Sequence, residues 1–361
     1  MKYKEIFFSI ILTFLGVEIT SFISLKTGLI QDVYLERGIA NPKHIAYQGL
    51  KWRTEYNKWG AWHVPNAKDR HIKTCFDVTY QANNLGARDS EDYSNEFPKD
   101  SYFLLGDSFM EGFGLNLNET FAYKLQELSE KKVLNFATAY NTGVLQYYLI
   151  YENFGSKLPH DTVIMGLLPA NDFSENDGSR IKKLELNSPK NSFRYRPYYD
   201  TYNIEDEYPI FYPKNALKRY ELGRKPINNF IASQSIRLNL VRLFKNIQII
   251  NRINKLDKPR YYGQELAKQK AALFYIEKTY QLAKKNGVKK FVVFAIPDII
   301  DFRNLGNNIK NREIPYWESN LRKLAYQNND FYFVDGFKII ENNNSAEAFF
   351  LSCDGHWSEL G

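Results

Sequence analysis

Residues 101–114 read SYFLLGDSFMEGFG. Tyr102 to Leu105 is an uninterrupted apolar run of strand length. Gly106 breaks it and Asp107-Ser108 follow. Gly112 and Gly114 mark a further turn, and a helical pattern begins at Asn118. An apolar strand that runs into a tight polar turn is where α/β proteins place ligands, at the carboxyl ends of their strands. A serine there can act as a nucleophile if a histidine and a carboxylate reach it. Taken alone, Gly-Asp-Ser also reads as an ordinary turn, because all three residues are common turn formers.

Working outward, the pattern after residue 101 alternates strands with helices. Strands are expected at 102–105, 133–137, 162–168, 290–296 and 331–334. Helices are expected from an Asn118 N-cap to about Ser129, over Val144–Phe154, over 264–286 with Gly287 at its C-terminus, and from Pro315 to about Gln327. Phe121, Leu125 and Leu128 share one face of the first helix. Leu266, Leu273, Ile276, Tyr280 and Ala283 recur at helical spacing in the third. Strands separated by helices predict a parallel five-stranded sheet in an α/β fold with helices on both faces. Residues 173–263 interrupt the rhythm and read as an insertion after the third strand, with one helix near 235–250. Such an insertion can wall a site or merely elaborate the surface.

Upstream, Ile6 to Leu25 is almost wholly apolar apart from Glu18, and Lys2 and Lys4 precede it. About 20 apolar residues span a bilayer, and the flanking lysines favour a cytoplasmic N-terminus. Two readings remain open: a retained anchor, or a cleaved signal with an h-region at Ile6–Val17. Either puts the rest of the chain outside the cytoplasm, membrane-anchored or secreted. The resulting division is 1–25 as membrane anchor or signal, 26–100 as linker and lead-in, and 101–361 as the main domain. Within 26–100, residues 75–82 alternate like a strand and 83–89 form a turn.

The composition of the 361 residues, 44% hydrophobic and 25% charged, is globular. The net charge of +7 is scattered rather than striped, so no nucleic-acid partner is expected. Cys75 and Cys353 have no metal-ligand spacing; pairing and free-thiol packing are both open. No metal cluster or phosphate loop stands out, so no cofactor is expected.

A serine nucleophile needs a base, and the chain has five histidines. His44, His63 and His71 precede the α/β pattern, and His160 precedes the third strand, at the amino end of the sheet. His356 lies about twenty residues after the fifth strand, in Ser352-Cys-Asp-Gly-His-Trp, within reach of the carboxyl ends. Asp354 can fix its tautomer. The third strand ends in Leu168-Pro-Ala-Asn171-Asp172, which offers a side-chain amide to an oxyanion. The turn after the second strand, through Tyr140 to Gly143, exposes backbone N–H groups.

With these parts in order, the chain resembles the SGNH (GDSL-like) hydrolase family. Gly106-Asp107-Ser108-Phe109, Asn171-Asp172 and Asp354-Gly355-His356-Trp357 carry the resemblance, which covers about 83 to 361. Asn84-Leu-Gly-Ala-Arg88-Asp89 looks like the lead-in of membrane-anchored members. The resemblance implies a three-layer, flavodoxin-like α/β/α fold. It implies Ser108 as nucleophile, His356 as base and Asp354 as its orienter. The Ser108 N–H, Tyr140 N–H and Asn171 amide would be the oxyanion donors. Tyr140 stands where the family usually has glycine, and Pro169-Ala-Asn-Asp where it has Gly-x-Asn-Asp. Family members continue with a helix after the histidine loop, so the chain is expected to extend past Gly361. The implied activity is a serine esterase cleaving carboxylic esters, including O-acetyl groups on extracytoplasmic glycans. Alternatives are an O-acyltransferase on cell-surface polysaccharide, working with a membrane acyltransferase partner, and a non-catalytic glycan-binding protein.

Overall fold

The computed structural model describes residues 2–27, 29, 52–73, 75–139, 142–178, 196–201, 207–212, 239–241, 243–244, 247, 260–262, 265–305, 311–340 and 346–361. Most of the expected insertion lies outside the described residues, as does Tyr140; of its expected helix at 235–250, residues 239–241, 243–244 and 247 are described and are helical.

Helix α1 covers Lys2–Lys26. Its span Glu5–Lys26 has a mean hydropathy of 2.1 and is long and apolar enough to cross a membrane. Thr13, Thr20, Ser21 and Ser24 each donate their hydroxyl to the carbonyl four residues back, which satisfies them inside the helix. Glu18, the one acid in the apolar run, accepts the backbone N–H groups of Asn239 and Leu240 at 2.6 and 2.8 Å.

The lead-in is more ordered than its composition implies. It forms two hairpins, β1 (Arg53–Tyr56) with β2 (Gly60–His63), and β3 (Lys68–Ile72) with β4 (Asp77–Gln81). The expected turn at 83–89 follows, and the Asn83 carboxamide oxygen accepts the N–H groups of Leu85 and Ala87, both at 3.0 Å.

From 101 the elements alternate. Strand β5 (Tyr102–Leu105) leads into the short helix α2 (Ser108–Glu111), then α3 (Phe121–Ser129), β6 (Val133–Asn135), α4 (Val144–Phe154), β7 (Thr162–Leu167) and α5 (Asp172–Glu175). A small antiparallel pair, β8 (Tyr198–Tyr199) and β9 (Ile210–Phe211), comes next. Then follow α6 (Leu266–Lys285), β10 (Lys290–Ala295), α7 (Ile299–Leu305), α8 (Tyr316–Gln327), β11 (Phe331–Asp335) and α9 (Gly336–Ile340).

All five long-range strands pair in parallel, in the spatial order β11-β10-β7-β5-β6. Counted along the sheet this is 2-1-3-4-5, a doubly wound order whose connections reverse direction at β5. The crevice outside the carboxyl ends of β5 and β7 is therefore where a ligand site is expected. Helix α4 packs on α6, and α6 on α8. Phe291 of β10 meets Tyr280 of α6, whereas Phe294, on the other face of the same strand, stacks at 6.1 Å on Phe121 of α3.

Local differences from the sequence reading have simple causes. Thr120, not Asn118, caps α3, because Leu117–Glu119 forms a separate 3-10 turn. Leu128 and Leu266 are exposed, so the buried stripe of each helix is narrower than its apolar spacing suggests. Pro315 is the N-cap of α8, and Gly287 follows the last residues of α6.

Candidate functional site

Strand β5 delivers Asp107 and Ser108 to the crevice through Gly106. This glycine has a φ of +155°, and a Cβ there would lie 2.4 Å from Met110 Cγ, so a side chain is excluded on both counts. Asp107 is the N-cap of α2 and accepts the Phe109 N–H at 3.0 Å. Ser108 is thereby the first residue of the helix, where a backbone N–H has no intrahelical partner.

The second part is the loop 351–356. Its chain doubles back on itself: Leu351 N–H donates to His356 O at 2.6 Å, and Gly355 N–H to Leu351 O at 2.9 Å. Gly355 takes a φ of +86°, which turns Asp354 and His356 onto one another. His356 Nδ1–H donates to Asp354 Oδ1. With that proton committed, Nε2 is left as an acceptor, and the Ser108 hydroxyl donates to it at 2.7 Å. Ser108, His356 and Asp354 thus form a continuous hydrogen-bonded chain.

Phe113 stacks on the imidazole at a centroid distance of 4.4 Å, and Phe109 lies at 4.9 Å. The His356 side chain retains 21% exposure, yet protein surrounds it closely enough that burial dominates its titration. Its pKa is lowered to about 4, by desolvation first, with the Lys73 ammonium adding to it and Asp107, Asp298 and Glu111 opposing. The ring is therefore neutral at pH 7, as a general base must be.

Asn171 stands at the end of β7, the neighbour of β5 in the sheet, and begins α5 as its N-cap. Its side chain caps nothing. Its amide lies beside the Asp107 carboxylate, and its Oδ1 is buried without a hydrogen-bond partner among the described residues. Burial raises the Asp107 pKa to about 6, opposed by the Phe109 N–H, His356 and Asn171. Burial likewise pushes Asp172 up, and the Asp107 charge adds to it. Asp172 is fully used within the fold, accepting Tyr147 OH at 3.0 Å and Leu168 N–H at 2.7 Å.

The expected Tyr140 N–H lies outside the described residues. Gly143 is not a spare donor, since its N–H goes to Gln146 Oε1 at 3.0 Å. The remaining described histidines are occupied elsewhere. His63 Nδ1–H donates to Gly86 O at 2.7 Å and His160 Nδ1–H to Leu158 O at 2.8 Å, while His71 pairs with Tyr80 OH at 3.0 Å. His160 sits at the amino end of β7.

Lys73 and Arg53, which sequence reasoning missed, come from the lead-in, and the cysteine pairing it left open is formed. Cys75 and Cys353 form a disulfide, which joins the β3–β4 turn to the residue before Asp354. Lys73, in the same turn, pairs with Asp354 Oδ2. Arg53 donates to Thr138 Oγ1 at 3.2 Å and to Ala139 O, which fixes the loop after β6. Glu111, fully buried, accepts the Ala139 N–H and lies 3.4 Å from Arg53. Burial opposes its ionisation, but the charges and hydrogen bonds of its neighbours prevail and lower its pKa to about 2. Burial lowers the pKa of His63 and Glu111 opposes this, while His63 is the first of the neighbours that lower Glu111, ahead of Arg53 and Arg88. Arg88 is buried and donates to the carbonyls of Glu111, Gly112 and Leu115, tying the turn after Ser108. No local signal in the sequence singled out Lys73 or Arg53; the hairpins bring them to the crevice.

Chemically, the arrangement can ionise a serine hydroxyl and hold the resulting imidazolium against a carboxylate. Among the described residues, no group of three or more His, Cys, Asp or Glu is arranged to hold a metal ion. Neither a protein-family model nor a curated protein matches this chain.

Proposed function

We propose that this protein is a membrane-anchored serine esterase of the SGNH (GDSL-like) type, acting on carboxylic esters outside the cytoplasm. The observation that carries the reading is the 2.7 Å contact between Ser108 Oγ and His356 Nε2, with Asp354 on the far side of the ring. In this mechanism Ser108 Oγ attacks the ester carbonyl and its proton passes to His356 Nε2. Asp354 stabilises the imidazolium. The oxyanion is met by the Ser108 N–H and the Asn171 amide. Collapse expels the alcohol, which takes the proton from His356. Water then repeats the sequence on the acyl-enzyme and releases the acid.

Three further features support the reading. The strand order puts Ser108 and Asn171 at adjacent carboxyl ends on either side of the switch point. The different helices on the two faces of β10 agree with the three-layer arrangement of that family. A disulfide persists in oxidising compartments, in keeping with a domain outside the cytoplasm. O-acetylated glycans are the substrate class to try first, since the family resemblance is to the membrane-anchored type.

The test is acid release from short p-nitrophenyl esters and acetylated glycans by the full chain in detergent, beside Ser108→Ala. Release that depends on Ser108 is the expected result. Equal rates for the two proteins on every ester would overturn simple hydrolysis, and a glycan acceptor would then be supplied to look for transfer.

A further inference from the structure

We propose that Lys73 is a positioning residue of this site: its ammonium grips the outer oxygen of Asp354, so that the inner oxygen stays on His356 Nδ1 and the imidazole stays neutral until it takes the serine proton. This rests on the hydrolase reading above. It extends it by giving the lead-in, upstream of the α/β pattern, a part in the chemistry.

The geometry divides the Asp354 carboxylate between two partners. Oδ1 faces His356 and Oδ2 faces Lys73. A carboxylate held at both oxygens cannot rotate away from the imidazole. The Asp354 side chain is only 9% exposed, and a neutral imidazole alone would leave that anion poorly compensated. Lys73 balances it. When His356 becomes an imidazolium, Asp354 is shared between two cations, so the base is weaker than it would be with Asp354 to itself. Among the described residues, the charged groups around His356 that enter this balance are Asp354 on its own loop, Lys73 from the β3–β4 turn, Asp107 and Glu111 around α2, and Asp298 before α7. Among these, Lys73 is the cation.

Lys73 is itself fixed in place. Its N–H donates to Phe76 O at 3.0 Å, closing the β3–β4 turn. Its ammonium lies 5.2 Å from the Phe113 ring and 5.9 Å from that of Phe76. Phe113 in turn stacks on His356, so ammonium, phenyl and imidazole are successive neighbours. Cys75, two residues on, is bonded to Cys353, one residue before Asp354. A lysine tethered this closely loses little further freedom in forming its ion pair, unlike an exposed one.

The experiment follows the His356 imidazole by histidine-selective NMR in the full chain in detergent. Wild type, Lys73→Met and Lys73→Arg are titrated, with the signal assigned through His356→Gln. The rate of Ser108 labelling by a fluorophosphonate is followed over the same pH range. Lys73→Met is expected to raise the His356 midpoint by about one pH unit or more, and Lys73→Arg to restore it. The acid limb of Ser108 labelling should move with the midpoint. An unmoved midpoint in folded Lys73→Met overturns the proposal. Should that variant not fold, Lys73→Gln removes the charge and keeps a donor; failure of both to fold makes the residue structural and also overturns it. A moved midpoint with no labelling of Ser108 in wild type would instead sink the hydrolase reading and leave the Lys73–His356 coupling standing.

Discussion

His356 Nε2 and Ser108 Oγ, 248 residues apart in the chain, lie 2.7 Å apart in the fold. If the proposed esterase mechanism holds, Ser108→Ala should remove activity by on the order of 10⁴-fold or more, and His356→Gln by a similar factor, because the two would act as one unit. The double variant should be no worse than either single one. Steady-state rates on one p-nitrophenyl ester check this. Additive losses would mean that the contact is not used. Ser108 is partly exposed, so the melting temperature should stay nearly constant in Ser108→Ala.

The pH dependence follows from the buried imidazole. With the His356 pKa lowered to about 4, kcat/KM should rise through pH 4 and be flat across pH 6–7, where an unperturbed histidine would give its inflection. Folding is linked to the same group. Its folded pKa lies below the ordinary 6.5, so its contribution is fully present above pH 6.5 and is lost as pH falls towards 4. Urea melts of wild type and His356→Gln at pH 4.5 and 7.5 separate the effect. The destabilisation of wild type at the lower pH should be smaller in the variant.

Glu111 has the opposite burden. It is a fully buried carboxylate compensated by His63, Arg53, Arg88 and the Ala139 N–H. Glu111→Gln removes one member of that set and should cost about 3–5 kcal/mol, since the guanidinium groups are left uncompensated. The group contributes stability above its ordinary pKa of 4.5 that is lost as pH falls towards about 2. Denaturation at pH 7 and pH 3 checks both parts: the gap between wild type and variant should narrow at pH 3.

The Cys75–Cys353 disulfide closes 278 residues of sequence and ends beside Asp354. Paired replacement by serine should cost about 2–5 kcal/mol of stability. It should also lower kcat, because the loop that carries Asp354 and His356 loses its tie to the lead-in. Mild reduction of wild type should reproduce both effects, and reoxidation should reverse them. Loss of stability with kcat intact would confine the bond to a structural role.

Much of the fold was legible because its signals are local. The apolar runs at Tyr102–Leu105, Thr162–Leu167 and Lys290–Ala295 are strands because a buried parallel sheet needs continuous apolar segments, and the helices between them carry periodic apolar residues. Leu128 misled for the same reason: periodicity names a face but not how much of it the neighbours cover.

The candidate site divides along the same line. Ser108, Asn171, Asp354 and His356 could be picked out from residue type and place in the strand order, because strand ends in a parallel sheet converge on one edge. Whether Cys75 and Cys353 pair, and that Lys73, Arg53, Glu111 and Arg88 meet the strand ends, depended on how two short hairpins pack against that edge. A lone lysine or arginine in an irregular stretch has no period and no spacing to mark it. Its role comes from a partner 281 residues away, as for Lys73 and Asp354, and only the folded chain brings such a pair together.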